Sequence, residues 1–300
     1  MDKIINDVIK QATKDYNERV VAINENSINS FVIEPQDKVL STNLCANEIN
    51  ALYHKSIQES IQFLITLNSI NYQFWDIVNS TFIRYEHNNE IGALAMFKSF
   101  ENFFEFMKQH KFNTNMINRQ SIATYFGNIP NLDSRVILLQ ESFNPQKSIT
   151  VYNAIIKHIN NYPFNVALAK HIAQIMPLSY SDPYLKKIQL ALYQINNFLY
   201  TKGFNINCDI TVAADYQIPK VLQALGIISY CPELDYKINN HIILPENSTE
   251  EKAIRAATII ACEKISKTHN ISIAALDKFL WLKRNLFKDK KFHLTKTTKY

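Results

Sequence analysis

Glycine is scarce in this sequence. Only 4 of the 300 residues are glycine, whereas average proteins contain about 7%. Phosphate-binding loops and dense β-hairpins both depend on glycine, because it adopts backbone angles that other residues avoid. The scarcity therefore argues against a Rossmann-type or P-loop enzyme and against a hairpin-rich β architecture.

Motifs for metal and thiol chemistry are also missing. The eight histidines form no HExxH motif, and no His-x-Glu is followed by Pro-Cys-x-x-Cys, so zinc proteases and zinc deaminases lack their ligands. No Gly-x-Ser-x-Gly nucleophile elbow is present. The four cysteines form no CxxC pair; they are Cys45, Cys208, Cys231 and Cys262. We therefore expect neither a bound metal nor a cofactor.

Long apolar runs are absent as well. No stretch approaches the ~18 apolar residues that a membrane-spanning helix needs. Residues 1–20 are amphipathic and carry acidic side chains, unlike the apolar core of a signal peptide. Together with the isolated cysteines, these features predict a cytoplasmic protein that does not bind membranes.

The charge of the chain is mildly positive. Its 32 lysines and arginines outnumber 27 acids and give a net charge of +5, which is compatible with an anionic ligand but does not require nucleic acid. Part of the excess lies in the stretch Lys278–Lys299. This basic stretch could contact a phosphate or could simply form a solvated surface.

Helical periodicity dominates the chain. From Ala46 to Leu67, apolar residues recur every three or four positions, as expected for a helix with one buried face. A Ser-x-x-Glu capping pattern at Ser248 predicts a helix from there to about Lys267, and a last helix is predicted from about Ile273. Comparable apolar patterns occur at residues 91–107, 134–140, 151–159, 166–175 and 184–200.

Only two short segments have the composition of strands. Val20–Ile23 and Phe31–Ile33 are rich in β-branched residues and are predicted to form a small hairpin or isolated extended segments. We therefore predict an all-α, mainly helical protein with at most a small N-terminal β element. No linker or repeat divides the chain, so one domain is expected over residues 1–300, with residues 1–45 contributing an N-terminal helix and extended segments.

One carboxylate is predicted at the beginning of a helix. Pro219 is tolerated only in the first turn of a helix and Gly226 suits its end, so Asp215 is expected at or just before the helix N-terminus. Such a carboxylate can cap the helix, or it can stabilise the positive charge that develops on a sugar during glycosidic cleavage. The pattern alone leaves both roles open.

A second carboxylate is paired with a tryptophan. Asp277 and Trp281 are four residues apart, which puts them on one face of a helix. The indole can stack on a flat heterocycle while the carboxylate accepts hydrogen bonds from its N–H groups. Alternatively, Trp281 belongs to the core and Asp277 is a surface or capping acid.

A third cluster combines polar and aromatic residues. Residues 67–75 include Tyr72, Phe74 and Trp75 and are predicted to open a helix, mainly for packing. His54 precedes them and could face a ligand, although a lone histidine is more often solvated or satisfied within the fold.

Six sequence blocks between Asn29 and Tyr300 occur in the same order in a known protein family. Residues 210–222 resemble the segment Leu-Thr-x-Phe-Ala-Asp-Tyr-Arg-x-Pro-Gln-x-Leu of the queuosine salvage protein family. The other five blocks that resemble this family are Asn71–Trp75, Tyr184–Gln189, Ile254–Ala256, Asp277–Trp281 and Phe292–Tyr300.

The resemblance implies a fold and an activity. Members of the family are helical queuosine 5′-phosphate N-glycosylases, which hydrolyse the N-glycosidic bond and release the base queuine for re-use in tRNA modification. Their fold is similar to that of helix-hairpin-helix DNA glycosylases. The resemblance thus implies a hydrolase that acts on a small molecule, queuosine 5′-phosphate, with no cofactor and no stable nucleic-acid partner. We expect the protein to be a monomer.

The resemblance also implies roles for individual residues. Asp215 would be the catalytic carboxylate, either as nucleophile or as stabiliser of an oxocarbenium-like sugar. Ala214 and Tyr216 would line the base pocket, and Asp277 and Trp281 would hold queuine.

Two further residues match the family, and three depart from it. His54 corresponds to a ligand-contacting histidine, and Lys186 supplies an ammonium group that could contact the 5′-phosphate. The departures leave open whether the nucleotide or the nucleoside is preferred: Gln217 replaces an arginine, Ala213 a phenylalanine and Ala253 an acid.

Two alternative functions remain at this point. A base-excision DNA glycosylase would share an aspartate beside a helix N-terminus and would bind duplex DNA with a steep salt dependence. A non-catalytic queuine-binding protein would use Asp215 only as a helix cap and would bind the base without turnover.

Overall fold

Helices account for most of the protein. The structure, a computed structural model, describes residues 6–33, 52 and 55–300. In chain order the helices are α1 (Asp7–Asp15), α2 (Glu25–Asn29), α3 (Ile57–Ser69), α4 (Ala93–Gln109), α5 (Arg119–Phe126), α6 (Leu132–Ser142), α7 (Pro145–Asn161), α8 (Val166–Ile175), α9 (Pro177–Tyr180), α10 (Lys186–Thr201), α11 (Gln217–Ala224), α12 (Pro232–Asn239), α13 (Thr249–His269) and α14 (Ile273–Lys283). Short 3-10 helices cover Thr114–Met116 and Arg284–Phe287.

The strands are short, and each sheet in the described residues has two strands. They are β1 (Val21–Ile23), β2 (Trp75–Val78), β3 (Thr81–Arg84), β4 (Glu86–His87), β5 (Glu90–Ile91), β6 (Phe164–Asn165), β7 (Cys208–Asp209) and β8 (Ile228–Tyr230). β1 pairs antiparallel with β8, so that Val21 lies opposite Tyr230. β2 with β3 and β4 with β5 are antiparallel, whereas β6 and β7 are parallel.

The core is built around α13. Most residues of this 21-residue helix are buried, and α1, α2, α14 and β1 pack against it. A cluster of phenylalanines joins α3 to α4, where the ring of Phe63 meets those of Phe100 and Phe104 edge to face at centroid distances of 5.0 and 5.1 Å. Such edge-to-face contacts add to the stabilisation that burial provides.

The predicted starts of the last two helices are confirmed. The Ser248 hydroxyl accepts a hydrogen bond from the backbone N–H of Glu251 at 3.2 Å, and α13 continues to His269. The Glu251 carboxylate accepts from the N–H of Asn247, one residue before the cap. Ser272 caps α14 in the same way as Ser248 caps α13. Capping residues satisfy the free N–H groups of a first turn, which explains why the spacing was predictive.

The prediction of a mainly helical fold is confirmed, but the strand predictions need correction. Phe31–Ile33 forms no strand in the structure, and Val21–Ile23 pairs with the distant β8 instead of a neighbouring hairpin strand. Residues 71–74 do not open a helix; they lead from α3 into β2. The resemblance to helix-hairpin-helix DNA glycosylases and the single domain over residues 1–300 stay predictions.

The β2–β3 hairpin turns without glycine. Asn79 and Ser80 have φ angles of 49° and 62°, and two consecutive residues with positive φ give the turn twist that antiparallel strands favour. Asparagine tolerates this left-handed region better than most residues. A search for glycine turns therefore misses this hairpin.

None of the helices in the described part of the chain is both long and apolar enough to cross a membrane.

Candidate active site

A cavity of about 540 Å³ lies where α10, α11 and α14 meet the start of α4. Ligand-binding pockets typically have volumes of roughly 300–1,000 Å³, so the cavity can enclose a small molecule. Its charged lining residues are Arg84, Glu90, Lys186, Asp215, Lys220, Asp277, Lys278, Arg284 and Lys288. The cavity therefore combines carboxylates with a larger number of cations.

Asp215 lies at the start of α11, as the sequence predicts. Its Oδ1 accepts hydrogen bonds from the backbone N–H groups of Gln217 and Ile218 at 2.7 and 3.0 Å. Because the side chain also lines the cavity, capping the helix and facing a ligand are compatible roles for this carboxylate.

Asp277 is tied to the same loop as Asp215. Its Oδ1 accepts a hydrogen bond from the backbone N–H of Ala213 at 2.8 Å. Burial, reinforced by the charge of Asp215, raises the pKa of Asp277 to about 7, although the Ala213 bond and the ammonium of Lys186 act in the opposite direction. Near neutral pH, Asp277 therefore exists in both its protonated and its ionised form.

Lys186 lies beside these carboxylates. Its Nζ donates to the carbonyl of Asn71 at 3.1 Å, and the side chain is buried at the cavity wall. Burial lowers the pKa of Lys186, whereas the charges of Asp215 and Asp277 oppose this change. The ammonium group thus partly neutralises the two carboxylates.

Trp281 lines the cavity, and a cation covers one face of its indole. The guanidinium of Arg284 lies 3.2 Å from the ring centroid, and its Nη1 donates to the Trp281 carbonyl at 2.6 Å. This cation–π contact covers one side of the ring and fixes its position. The face that Arg284 covers is therefore closed to a flat ligand.

Tyr216 and Ala214 occupy different places. Tyr216 lines the cavity, and its ring stacks on Phe292 at a centroid distance of 4.7 Å. Ala214 is fully buried behind the wall, where its carbonyl accepts a hydrogen bond from Arg255, and Ala213 takes its place at the cavity surface. The expectation that Ala214 lines the pocket therefore needs correction, because its backbone turns away towards Arg255. His54 lies outside the described residues.

A group of cations at the cavity wall was not predicted as a unit. Burial and the charges of Arg84 and Arg284 lower the pKa of Lys220 to about 8, while Asp215 acts in the opposite direction. Burial also lowers the pKa of Arg284 to about 10. We call Arg84, Lys220, Arg284 and Lys288 the cationic wall. Cations that repel each other in this way favour a bound anion.

The sequence contained some signals that could have indicated the cationic wall. Arg284 and Lys288 belong to the basic stretch noted above, and Lys220 follows Asp215 in the same helix start. Arg84 lies in β3, in the hairpin that the sequence pattern missed. No set of three or more His, Cys, Asp or Glu side chains suited to a metal ion occurs in the part of the chain that is described.

The fold and the cavity together define a class: a helical protein with a cavity lined by carboxylates, aromatic rings and a group of cations. The sequence profile of the queuosine salvage protein family matches residues 51–300. The chain therefore belongs to this family.

Individual relatives support the same relationship. The chain is 28% identical over 186 residues to a queuosine 5′-phosphate N-glycosylase/hydrolase of Sphaerobacter thermophilus, covering 55% of this chain and 57% of that protein. It is 36% identical over 86 residues to the Dictyostelium discoideum protein with this name, covering 27% of each chain. The alignments thus span little more than half of the first relative and about a quarter of the second.

Proposed function

We propose that this protein hydrolyses the N-glycosidic bond of queuosine 5′-phosphate and releases queuine. The observation that carries the proposal is the presence of Asp215, Asp277 and Trp281 at one cavity. Family membership and the names of the relatives support it. In this proposal the protein works in the cytoplasm as a monomer.

Asp215 stabilises the reacting sugar. As the bond between C1′ and the base nitrogen lengthens, positive charge grows on the ribose, and a fixed carboxylate stabilises this charge more than it stabilises the ground state. The hydrogen bonds to Gln217 and Ile218 hold Asp215 in place for this task. The carboxylate acts either electrostatically or as a nucleophile that forms a glycosyl intermediate, which water then hydrolyses.

Asp277 and Trp281 hold the leaving base. Trp281 stacks on the base through its uncovered face, and ionised Asp277 accepts hydrogen bonds from the N–H groups at the base edge. When protonated, Asp277 can instead donate to the base as it leaves. Glycosidases often use two carboxyl groups in this manner, one ionised and one with a raised pKa.

The cationic wall binds the 5′-phosphate. Lys220 and Arg284 lie close enough to Asp215 for their charges to interact with it, so a phosphate bound there would lie near the sugar that Asp215 faces. This assignment replaces Lys186 as the phosphate contact, since the ammonium of Lys186 is held beside the carboxylates. Queuosine 5′-phosphate is therefore preferred over queuosine. His54 remains a proposed ligand contact.

The test is incubation of the purified protein with queuosine 5′-phosphate and, separately, with queuosine. Released queuine is measured by mass spectrometry for wild type, Asp215→Asn and Asp133→Asn. Asp133 is a matched control because its carboxylate pairs with Arg119 at the surface, away from the cavity. Release by wild type and Asp133→Asn, but not by Asp215→Asn, is the expected result.

Other outcomes contradict the proposal in distinct ways. A folded wild type that binds queuine without releasing it from either substrate would be a binding protein. Binding to duplex DNA that falls steeply with salt, with no queuine release, would indicate a DNA glycosylase.

A further inference from the structure

Arg255 lies fully buried near the start of the central helix α13. Its Nη1 and Nη2 donate to the two carboxylate oxygens of Asp182 at 2.8 and 2.6 Å. Its Nε donates to the backbone carbonyl of Ala214 at 3.0 Å. This fork geometry uses the planar arrangement of arginine donors, which lysine cannot reproduce.

Two tyrosine rings pack against the guanidinium. Its central carbon lies 4.5 Å from the centroid of the Tyr184 ring and 4.1 Å from that of Tyr300. Glu251, one turn earlier in α13, contributes a second carboxylate at 3.6 Å. Although burial disfavours the charge, Asp182 and Glu251 raise the pKa of Arg255, so it remains protonated.

The ion pair connects two parts of the cavity wall. Ala214 directly precedes Asp215, so the bond from Arg255 fixes the backbone that carries this carboxylate. Asp182 Oδ2 also accepts the backbone N–H of Lys186 at 2.8 Å, which fixes the start of α10. Arg255 itself does not line the cavity. One buried pair thus sets the relative positions of Asp215 and Lys186.

A contribution to stability does not by itself explain why the ion pair of Arg255 and Asp182 is buried here. Removing two charges from water is costly, and buried ion pairs often contribute no more stability than apolar residues of similar size. The pair does, however, join three chain segments that are far apart in sequence: residues 182–186, Ala214 and α13. Its geometric role accounts for both charges and for all three bonds of the guanidinium.

We propose that Arg255 is a positioning residue, which holds Asp215 through the Ala214 carbonyl and Lys186 through Asp182. The kinetic consequence of this inference rests on the proposed function. Its structural consequence, a fixed Asp215 loop, does not depend on any substrate.

The kinetic test uses Arg255→Lys. Lysine keeps a positive charge opposite Asp182 but cannot reach Asp182 and Ala214 together. We expect kcat for queuosine 5′-phosphate to fall about 10- to 100-fold, because small displacements of a reacting group have effects of this size. KM should change less than about twofold, since Trp281 lies in α14 and three members of the cationic wall, Arg84, Arg284 and Lys288, lie outside α11.

A second test uses no substrate. Hydrogen exchange is measured at the backbone amides of Gln217 and Ile218, which donate to Asp215. In Arg255→Lys these amides should exchange faster than in wild type, while the amide of Leu222 in the next turn of α11 should not change. Asp182→Asn retains Arg255 but weakens the carboxylate anchor that positions its guanidinium, so it should give the same pattern if Arg255→Lys fails to fold.

The control is Glu141→Gln. Glu141 is also buried, accepts the backbone N–H of Ser179 at 2.7 Å and pairs with Lys147, but it does not line the cavity. Its loss should lower the unfolding midpoint without changing kcat or exchange at Gln217. A merely structural role for Arg255 would give the same result in Arg255→Lys.

The outcomes separate the two proposals. Wild-type kcat together with wild-type exchange in Arg255→Lys overturns the positioning role, as does a response equal to that of Glu141→Gln. If wild type releases no queuine, the proposed function fails, and the exchange experiment still decides whether Arg255 fixes the Asp215 loop.

Discussion

The Asp277 carboxylate accepts a hydrogen bond from the backbone N–H of Ala213, two residues before Asp215. The bond joins α14 to the loop that precedes α11, so it links Asp277 to the segment that carries Asp215. It also means that a change at Asp277 acts on the electrostatics and on the loop together.

Asp277 should make stability depend on pH. Its pKa is about 7 in the folded protein and near 4 in an unfolded chain. Between these values the folded protein keeps a proton that the unfolded chain has released, so the free energy of unfolding falls as pH rises from about 4 to about 7. Asp277→Asn should flatten this decline, as measured by unfolding midpoints between pH 5 and pH 8.

The control for this pH experiment is Asp133→Asn. Its carboxylate is exposed and pairs with Arg119, so the slope of the unfolding midpoint against pH should match that of wild type. A wild-type slope in Asp277→Asn would show that Asp277 does not bind the proton.

Substitutions of Asp215 should separate its role as a helix cap from its role in catalysis. Asparagine can accept the same two backbone N–H bonds, so Asp215→Asn should keep wild-type stability, whereas Asp215→Ala should lose about 1 kcal/mol of helix capping. Both variants should lose at least about a thousandfold in queuine release if the charge is essential. Calorimetry and a mass-spectrometric release assay measure the two effects, and an active Asp215→Asn would exclude the catalytic role.

Trp281 should contribute mainly to base affinity. Loss of aromatic stacking on a base removes about 1–3 kcal/mol, so Trp281→Ala should weaken queuine binding roughly 5- to 150-fold, measured by calorimetric titration. Trp281→Phe keeps an aromatic face and should retain most of the affinity. Equal affinity of wild type and Trp281→Ala would contradict stacking.

Lys220 should contribute to the affinity for the nucleotide but not to the affinity for the nucleoside. Lys220→Met removes one charge of the cationic wall, and a hydrogen bond to a charged group is worth about 1.5–3 kcal/mol. KM for queuosine 5′-phosphate should therefore rise tenfold or more, while KM for queuosine should change little. Lys296→Met is the matched control, because Lys296 pairs with Asp76 outside the cavity. A similar rise for both substrates would rule out phosphate binding by Lys220.

Local sequence signals predicted the elements that carry the carboxylates. Pro219 and Gly226 limit where α11 can begin and end, which located Asp215 at the helix start. The four-residue step from Asp277 to Trp281 needed only helical geometry, and both residues line the cavity. These features are short range, so the order of residues is enough to reveal them.

Long-range features could not be predicted in the same way. The cationic wall combines Arg84 from β3 with Lys220 from α11 and Arg284 after α14, and no local pattern indicates that these elements meet. The β2–β3 hairpin was missed because its turn at Asn79 uses no glycine. Ala214 was misplaced because only the fold reveals that its carbonyl faces Arg255.

The pairing of β1 with β8 has a consequence for how the chain is made. Val21 and its partner Tyr230 are separated by about 200 residues, and α1 packs against α13, which follows later still. Contacts over such separations close large loops and form slowly. During synthesis, α1, β1 and α2 therefore leave the ribosome long before β8 and α13, and their buried faces stay uncovered until those partners have emerged.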